Sequence, residues 1–287
     1  MKRRSLFAMV PATSALLALR SQGKPIDQGA VTAAGFAISV QAWTFKQFPL
    51  WEAIKMAAAA GASAIEMFPG QKIGGPLNDT PLDQDLSDEN IATLLAHAKE
   101  NKITPVNFGV TGISNKEADA RKVFEFAKKM GLYGVTTESL DAIDLLEKLS
   151  QEYDIKVCFH NHPKPSPLWD PEKTWNAVKD RHANIGFCAD VGHWTRSGLD
   201  ALEVIKKIAP RVRSFHMKDR EAIGKKDDHD QPFGTGVIDI IAILDEVRKH
   251  GFAGNVSIEY EYNWDKSLAE VAQCVGYLRA YSKFAKA

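Results

Sequence analysis

Residues 185–219, IGFCADVGHWTRSGLDALEVIKKIAPRVRSFHMKD, contain one complete strand–helix–strand unit. IGFCAD is a short apolar run closed by Asp190, LDALEVIKKIA has apolar residues at helical spacing, and VRSFHMKD is a second apolar run closing on His216 and Lys218. A helix inserted between two strands of one sheet implies parallel pairing, since a parallel partner is reached only by a long crossover. Each strand of the unit gives way to loop at a side chain that can bind a metal or move a proton.

The same grammar extends in both directions. Towards the N-terminus lie FAISVQAWTF (36–45), SAIEMF (63–68), ITPVNFGV (103–110), YGVTTES (133–139) and IKVCFHNHP (155–163); towards the C-terminus lies VSIEYE (256–261). Between them run segments of helical period, several with a stop or start signal. LWEAIKMAAAA halts at Gly61, ENIATLLAHAKEN follows the capping pair Ser87 and Asp88, and two later helices end at Gly131 and Gly251. Eight strands regularly separated by eight helices predict an α/β chain folded as a single (β/α)8 TIM barrel over residues 36–287. Neither a glycine-rich dinucleotide fingerprint nor a P-loop is present.

A chain of 287 residues suits one large barrel, and a formal net charge of zero gives no electrostatic footprint for nucleic acid or an anionic membrane. Cys158, Cys188 and Cys274 lie in apolar runs without CxxC spacing, and read as core thiols. At the N-terminus, Lys2, Arg3 and Arg4 precede the apolar stretch Leu6 to Leu19 and then a polar segment, which is the order of a signal peptide. Residues 1–30 are therefore expected to be an export segment, with Arg3-Arg4 similar to a twin-arginine signal. The expected location is periplasmic, the alternative being a cytoplasmic enzyme with an N-terminal extension. No later run is long and apolar enough to span a bilayer.

In barrels of this kind reactive side chains occupy the C-terminal ends of strands. Glu138, His160 with His162, Asp190 with His193, His216 and Glu259 all lie at such ends. Carboxylates converging on one axis repel unless a cation neutralises them, and carboxylates with imidazoles suit Mn²⁺, Mg²⁺, Co²⁺ or Zn²⁺. Glu138, His160, Asp190, His216 and Glu259 are the candidate ligands. His162 alternates with Asn161 and so shares a side of its strand with His160, making it a candidate acid or base. His193, in the loop expected after Asp190, is placed to face a substrate, and Lys218 either supplies an ammonium to an oxyanion or pairs with Asp219 on the surface. Trp43, Trp169 and Trp194 read as pocket walls. His97, His182 and His250 are expected to be solvated, and the long Asp219–Val237 loop to cover a site or move.

The segments ADVGHW, SFHMKD, PFGTGVID and SIEYE resemble those of the xylose-isomerase-like TIM barrels, the sugar phosphate isomerase and epimerase superfamily, from about Phe36 onward. The resemblance implies one divalent ion held by Asp190, His216 and Glu259, with His193 contacting a small-molecule carbohydrate. From charge and hydropathy, neither a nucleic-acid partner nor a stable membrane span in the mature chain is expected, and a homo-oligomer is left open. In the epimerase branch two glutamates exchange a proton with the substrate carbon. Here His160 stands where the first of them would be, and Glu138 either restores the missing charge or is itself the base. The expected activity is a metal-dependent sugar isomerase or epimerase that removes a proton next to a carbonyl. The alternatives are a lyase acting on keto-sugars or inososes, and a sugar-binding barrel without turnover.

Overall fold

The computed structural model describes residues 25–285; the expected export segment, up to residue 24, lies outside the described residues. Eight strands form a closed parallel barrel in sequence order. They are β1 (Ala37–Gln41), β2 (Ala64–Met67), β3 (Thr104–Phe108), β4 (Gly134–Thr137), β5 (Lys156–Phe159), β6 (Ile185–Asp190), β7 (Val212–Met217) and β8 (Asn255–Ile258), and β8 closes on β1 with Ile38 opposite Val256. The helices are α1 (Leu50–Ala60), α2 (Asp88–Glu100), α3 (Glu117–Lys129), α4 (Ile143–Tyr153), α5 (Pro171–Val178), α6 (Val191–Arg196), α7 (Ala201–Ile208), α8 (Ile240–Lys249) and α9 (Leu268–Phe284). Among the described residues none of them is long and apolar enough to cross a membrane.

Local signals in the sequence act where the chain needs them. Gly61 ends α1 in the left-handed conformation at φ 89°. The Ser87 hydroxyl accepts from the Asn90 amide at 3.2 Å and caps α2. Ile, Val, Leu and Phe side chains of strands and helices pack into one core in which residues such as Ile65, Phe108, Val157, Phe215 and Val256 are fully buried. The barrel's inner layer is polar by contrast. Glu66 on β2 accepts from Thr136 Oγ1 at 2.7 Å and from Ser257 Oγ at 2.8 Å, so its buried carboxylate ties three strands together below the C-terminal mouth.

Two expectations need correction. There are nine α-helices among the described residues because α6 follows β6 at once, where a loop was expected: Asp190 Oδ1 accepts from His193 N at 2.7 Å and caps it. His97 is buried, stacked on Trp51 with ring centroids 3.6 Å apart and with Nε2 2.9 Å from the Trp51 carbonyl oxygen. The Asp219–Val237 loop is tied down: Asp219 accepts from the amides of Gly234, Gly236 and Ile238 at 2.9–3.0 Å, and buried Arg220 pairs with Asp230 and Asp228. Asp219 is thereby engaged with backbone donors, and Lys218 turns inward instead.

Candidate active site

At the C-terminal mouth β5, β6, β7 and β8 bring His160, Asp190, His216 and Glu259 together, with one ligand atom from each lying within 4.8 Å of the others. All four are buried. Asn161 locks two of these strand ends, donating from Nδ2 to the Asp190 carbonyl oxygen at 3.0 Å and accepting from Asp190 N at 3.1 Å. Spending Asn161 on the neighbouring backbone leaves His160 and His162 on its other side, with their rings 4.6 Å apart.

Glu138 lies apart from that four-residue group, in a second one with His160 and His162. Its Oε1 is 3.1 Å from His160 Nδ1 and 2.7 Å from His162 Nδ1, and accepts from His162 N at 2.9 Å; Ser166 Oγ donates to Oε2 at 3.3 Å. Burial opposes the Glu138 charge, but the bonds from His160 and His162 outweigh it and hold the carboxyl below its ordinary range. An ionised carboxylate only accepts, so both Nδ1 atoms carry protons. His160 Nε2 is left buried without a hydrogen-bond partner, as is His216 Nδ1. Two orphaned imidazole nitrogens beside two carboxylates are a donor set that fits a divalent ion, and the Glu138–His160 pair has the geometry by which a carboxylate orients a metal-binding histidine.

Lys218 brings a cation to the same place. Its Nζ donates to Asp190 Oδ2 at 2.5 Å and to Glu259 Oε2, and lies 3.6 Å from Glu261. Burial disfavours the ammonium, yet Asp190, Glu259 and Glu261 raise its pKa well above the ordinary value. Glu259 and Asp190 are correspondingly held low against their own burial, Glu259 by Lys218 and His216, Asp190 by the Lys218 ammonium that contacts it. Gly192 makes the arrangement possible: a Cβ there would meet the Lys218 side chain at 2.6 Å.

A cavity of about 290 Å³ opens above these groups, lined by Gln41, Trp43, Phe68, Pro69, Gly109, Val110, His160, His162, His193, Glu259 and Glu261. His162 is the most open of the histidines there, its side chain 49% exposed, and its hydrogen bond to Glu138 raises its pKa despite partial burial. Burial lowers that of His193, whose Nε2 is 3.5 Å from Asp190 Oδ2. Of the three expected tryptophan walls only Trp43 lines the cavity; Trp194 is buried in the core against Phe187, and Trp169 is covered by Lys164.

Sequence reading passed over three residues of the site. Gln41 and Glu261 line the cavity, and Glu66 Oε1 lies 3.1 Å from His216 Nε2. Glu66 had a legible signal, an acidic residue inside the apolar run SAIEMF. Gln41 sits among apolar and small residues in β1, and Glu261 was masked by Glu259 two positions earlier.

A family model for the xylose isomerase-like TIM barrel matches residues 54–281. Among curated proteins, an uncharacterized protein of Methanocaldococcus jannaschii is 24% identical over 152 residues, 51% of this chain, and inosose dehydratase 1 of Bacillus cereus is 29% identical over 79 residues, 28% of this chain. The matches span about half (49%) and about a quarter (26%) of those relatives' own lengths. Among solved structures, an uncharacterized protein of Parabacteroides distasonis is 32% identical, with a TM-score of 0.69 and coverage of 86% of this chain and 99% of its own. A D-tagatose 3-epimerase-like protein (18% identity, TM-score 0.65, 86% and 97% coverage) and a Mycobacterium smegmatis barrel in complex with magnesium (16%, 0.69, 89% and 99%) share the fold.

Proposed function

The chain belongs to the xylose isomerase-like TIM barrel family, and from that premise we propose that it is a divalent-metal-dependent carbohydrate enzyme moving a proton at the carbon beside a carbonyl, as an isomerase or epimerase. The observation that carries this reading is the convergence of His160, Asp190, His216 and Glu259 at the floor of an open cavity, with two of their imidazole nitrogens beside carboxylates but without a hydrogen bond. These four residues would hold the ion, which supplies Lewis-acid polarisation of carbonyl and hydroxyl oxygens. Glu138 keeps His160 in the tautomer whose Nε2 is free, and does the same for His162. His162 then presents its remaining nitrogen to the cavity as the group that takes or returns a proton. Glu259 is the second group positioned for proton exchange, and Lys218 neutralises Glu259 and Asp190 from below. His193, kept neutral by burial, is available to a substrate hydroxyl as a hydrogen-bond partner.

A specific observation favours a second reading. With an imidazole at position 160 and Glu138 engaged by His160 and His162, the site has one glutamate, not two, among its four converging ligand atoms. An acid–base pair made of His162 and Glu259 suits loss of water from a β-hydroxy carbonyl as well as it suits epimerisation, which supports a lyase of the kind named by the inosose dehydratase relative. Reaction in D₂O followed by NMR separates the two. Deuterium in an isomeric product of unchanged composition is expected for the isomerase. A product lighter by one water, with deuterium washed into recovered substrate, selects the lyase. No exchange or turnover on ketoses, inososes or 3-keto-glycosides with Mn²⁺ present would refute both, leaving a binding barrel.

A further inference from the structure

We infer that the cavity selects an uncharged polyol, with Glu261 accepting from a substrate hydroxyl and Trp43 carrying the C–H face of the ring, and that it rejects phosphorylated or carboxylated sugars. The inference deepens the reading above and rests on it. Glu261 follows Glu259 by two positions and lines the same cavity. Its backbone is fixed by donation from its amide to Asp230 Oδ2 at 2.7 Å, while its own Oε2 is buried with no hydrogen-bond partner, the Lys218 ammonium standing off at 3.6 Å. That oxygen is closed to solvent and held by the ammonium alone, so the partly exposed remainder of the carboxylate is what accepts from a substrate hydroxyl.

The charge of the wall points the same way. No lysine or arginine is among the residues lining the cavity, whereas Glu259 and Glu261 both are. The one ammonium beneath, on Lys218, is already committed to Asp190 and Glu259. With Glu259 neutralised by Lys218 and turned to the ion, a phosphate or carboxylate held on the sugar away from the ion would face the Glu261 carboxylate across a short, poorly screened distance. The same cavity is lined by Trp43, Phe68, Pro69 and Val110, with the Trp43 and Phe68 rings edge to face at 5.1 Å. Trp43 remains 37% exposed, which leaves an aromatic surface for the apolar face of a sugar or cyclitol ring. The nearby cation, Lys46, rests its Nζ 3.5 Å from the Trp264 ring and 4.4 Å from that of Trp43.

The test is a binding panel on the Mn²⁺-supplemented full chain, read by saturation-transfer NMR and by tryptophan fluorescence. D-Fructose, scyllo-inosose and methyl β-D-glucoside are set against D-fructose 6-phosphate and D-glucuronate. The neutral probes should bind at least about tenfold tighter than the anions. Glu261→Gln, of the same shape, should narrow that gap, Glu261→Lys should reverse it, and Trp43→Ala should weaken the neutral probes about tenfold while leaving their preference over the anions. Tighter binding of the phosphate ester, lost in Lys46→Ala, would overturn the inference and make Lys46 an anion anchor, while the carbohydrate reading stood. Failure of every probe, neutral or charged, would overturn both.

Discussion

Among the described residues the barrel buries one lysine at each end, and the two are solved in opposite ways. Lys218, just past β7 at the C-terminal mouth, sits among Asp190, Glu259 and Glu261, which raise its pKa. Lys156 begins β5 at the N-terminal end, where Nζ donates to Asn184 Oδ1 at 2.7 Å; burial and the charge of Arg213 push its pKa down to about 8. Burial is similar, at 1% and 6% exposure, so depth does not distinguish them. Charge does: the mouth invests in opposed buried charges, whereas the base accommodates a lysine ready to shed its proton. Concentrated compensating charge marks the end where chemistry is done.

The comparison breaks most readily at Lys218. Lys218→Met leaves Asp190 and Glu259 without their buried counter-charge, and should cost on the order of 3–5 kcal/mol of stability in metal-free protein, read by urea denaturation. Because the ammonium is paired with two of the carboxylates that would hold the ion, Mn²⁺ should restore the variant more than it stabilises the parent. Equal Mn²⁺ responses would show that Lys218 and the ion do not share those carboxylates.

Next in size are the ligands. Asp190→Ala and Glu259→Ala should reduce bound metal, measured by elemental analysis, together with turnover by at least about a thousandfold. His162→Ala should keep metal and lose turnover, since its Nδ1 faces Glu138 and not the four-atom group.

At the other end of the barrel, the sign follows from Lys156. Its folded pKa of about 8 lies below the ordinary 10.5, so between those values the unfolded chain holds more protons and stability should rise with pH. Below about 8 the burial penalty is fully present. Lys156→Met should flatten that stretch of the stability profile and leave metal content unchanged; an unaltered slope would assign the pH dependence elsewhere. Smallest of all, breaking the exposed pair Lys122–Asp85, at 3.0 Å, by Lys122→Ala should leave the urea midpoint unchanged within measurement.

What the sequence made legible follows the same division between ends. Strand order and helix stops were readable because apolar periodicity and residues such as Gly61 act locally. Asp190, His216 and Glu259 were readable because a charged or imidazole side chain at the end of an apolar run has few reasons to be there. The partner each side chain chooses was not readable, since it depends on contacts between strands distant in sequence. Glu138 takes His160 and His162 across 22 and 24 residues, and Glu66 reaches Ser257 across 191. Trp194 looked like a pocket wall because it adjoins His193, but helix α6, capped by Asp190 itself, turns it into the core.

Gly192 has no titratable group and occupies no special backbone region, yet the room it leaves is filled by the Lys218 side chain. Any larger residue there would evict the ammonium from Asp190 and Glu259 without altering one charged side chain. In a saturation mutagenesis survey, position 192 should therefore cluster with the site's ionisable residues, and Gly192→Ala should reproduce in milder form the metal-dependent rescue of Lys218→Met. The electrostatics of the mouth thus rely on an absent methyl group.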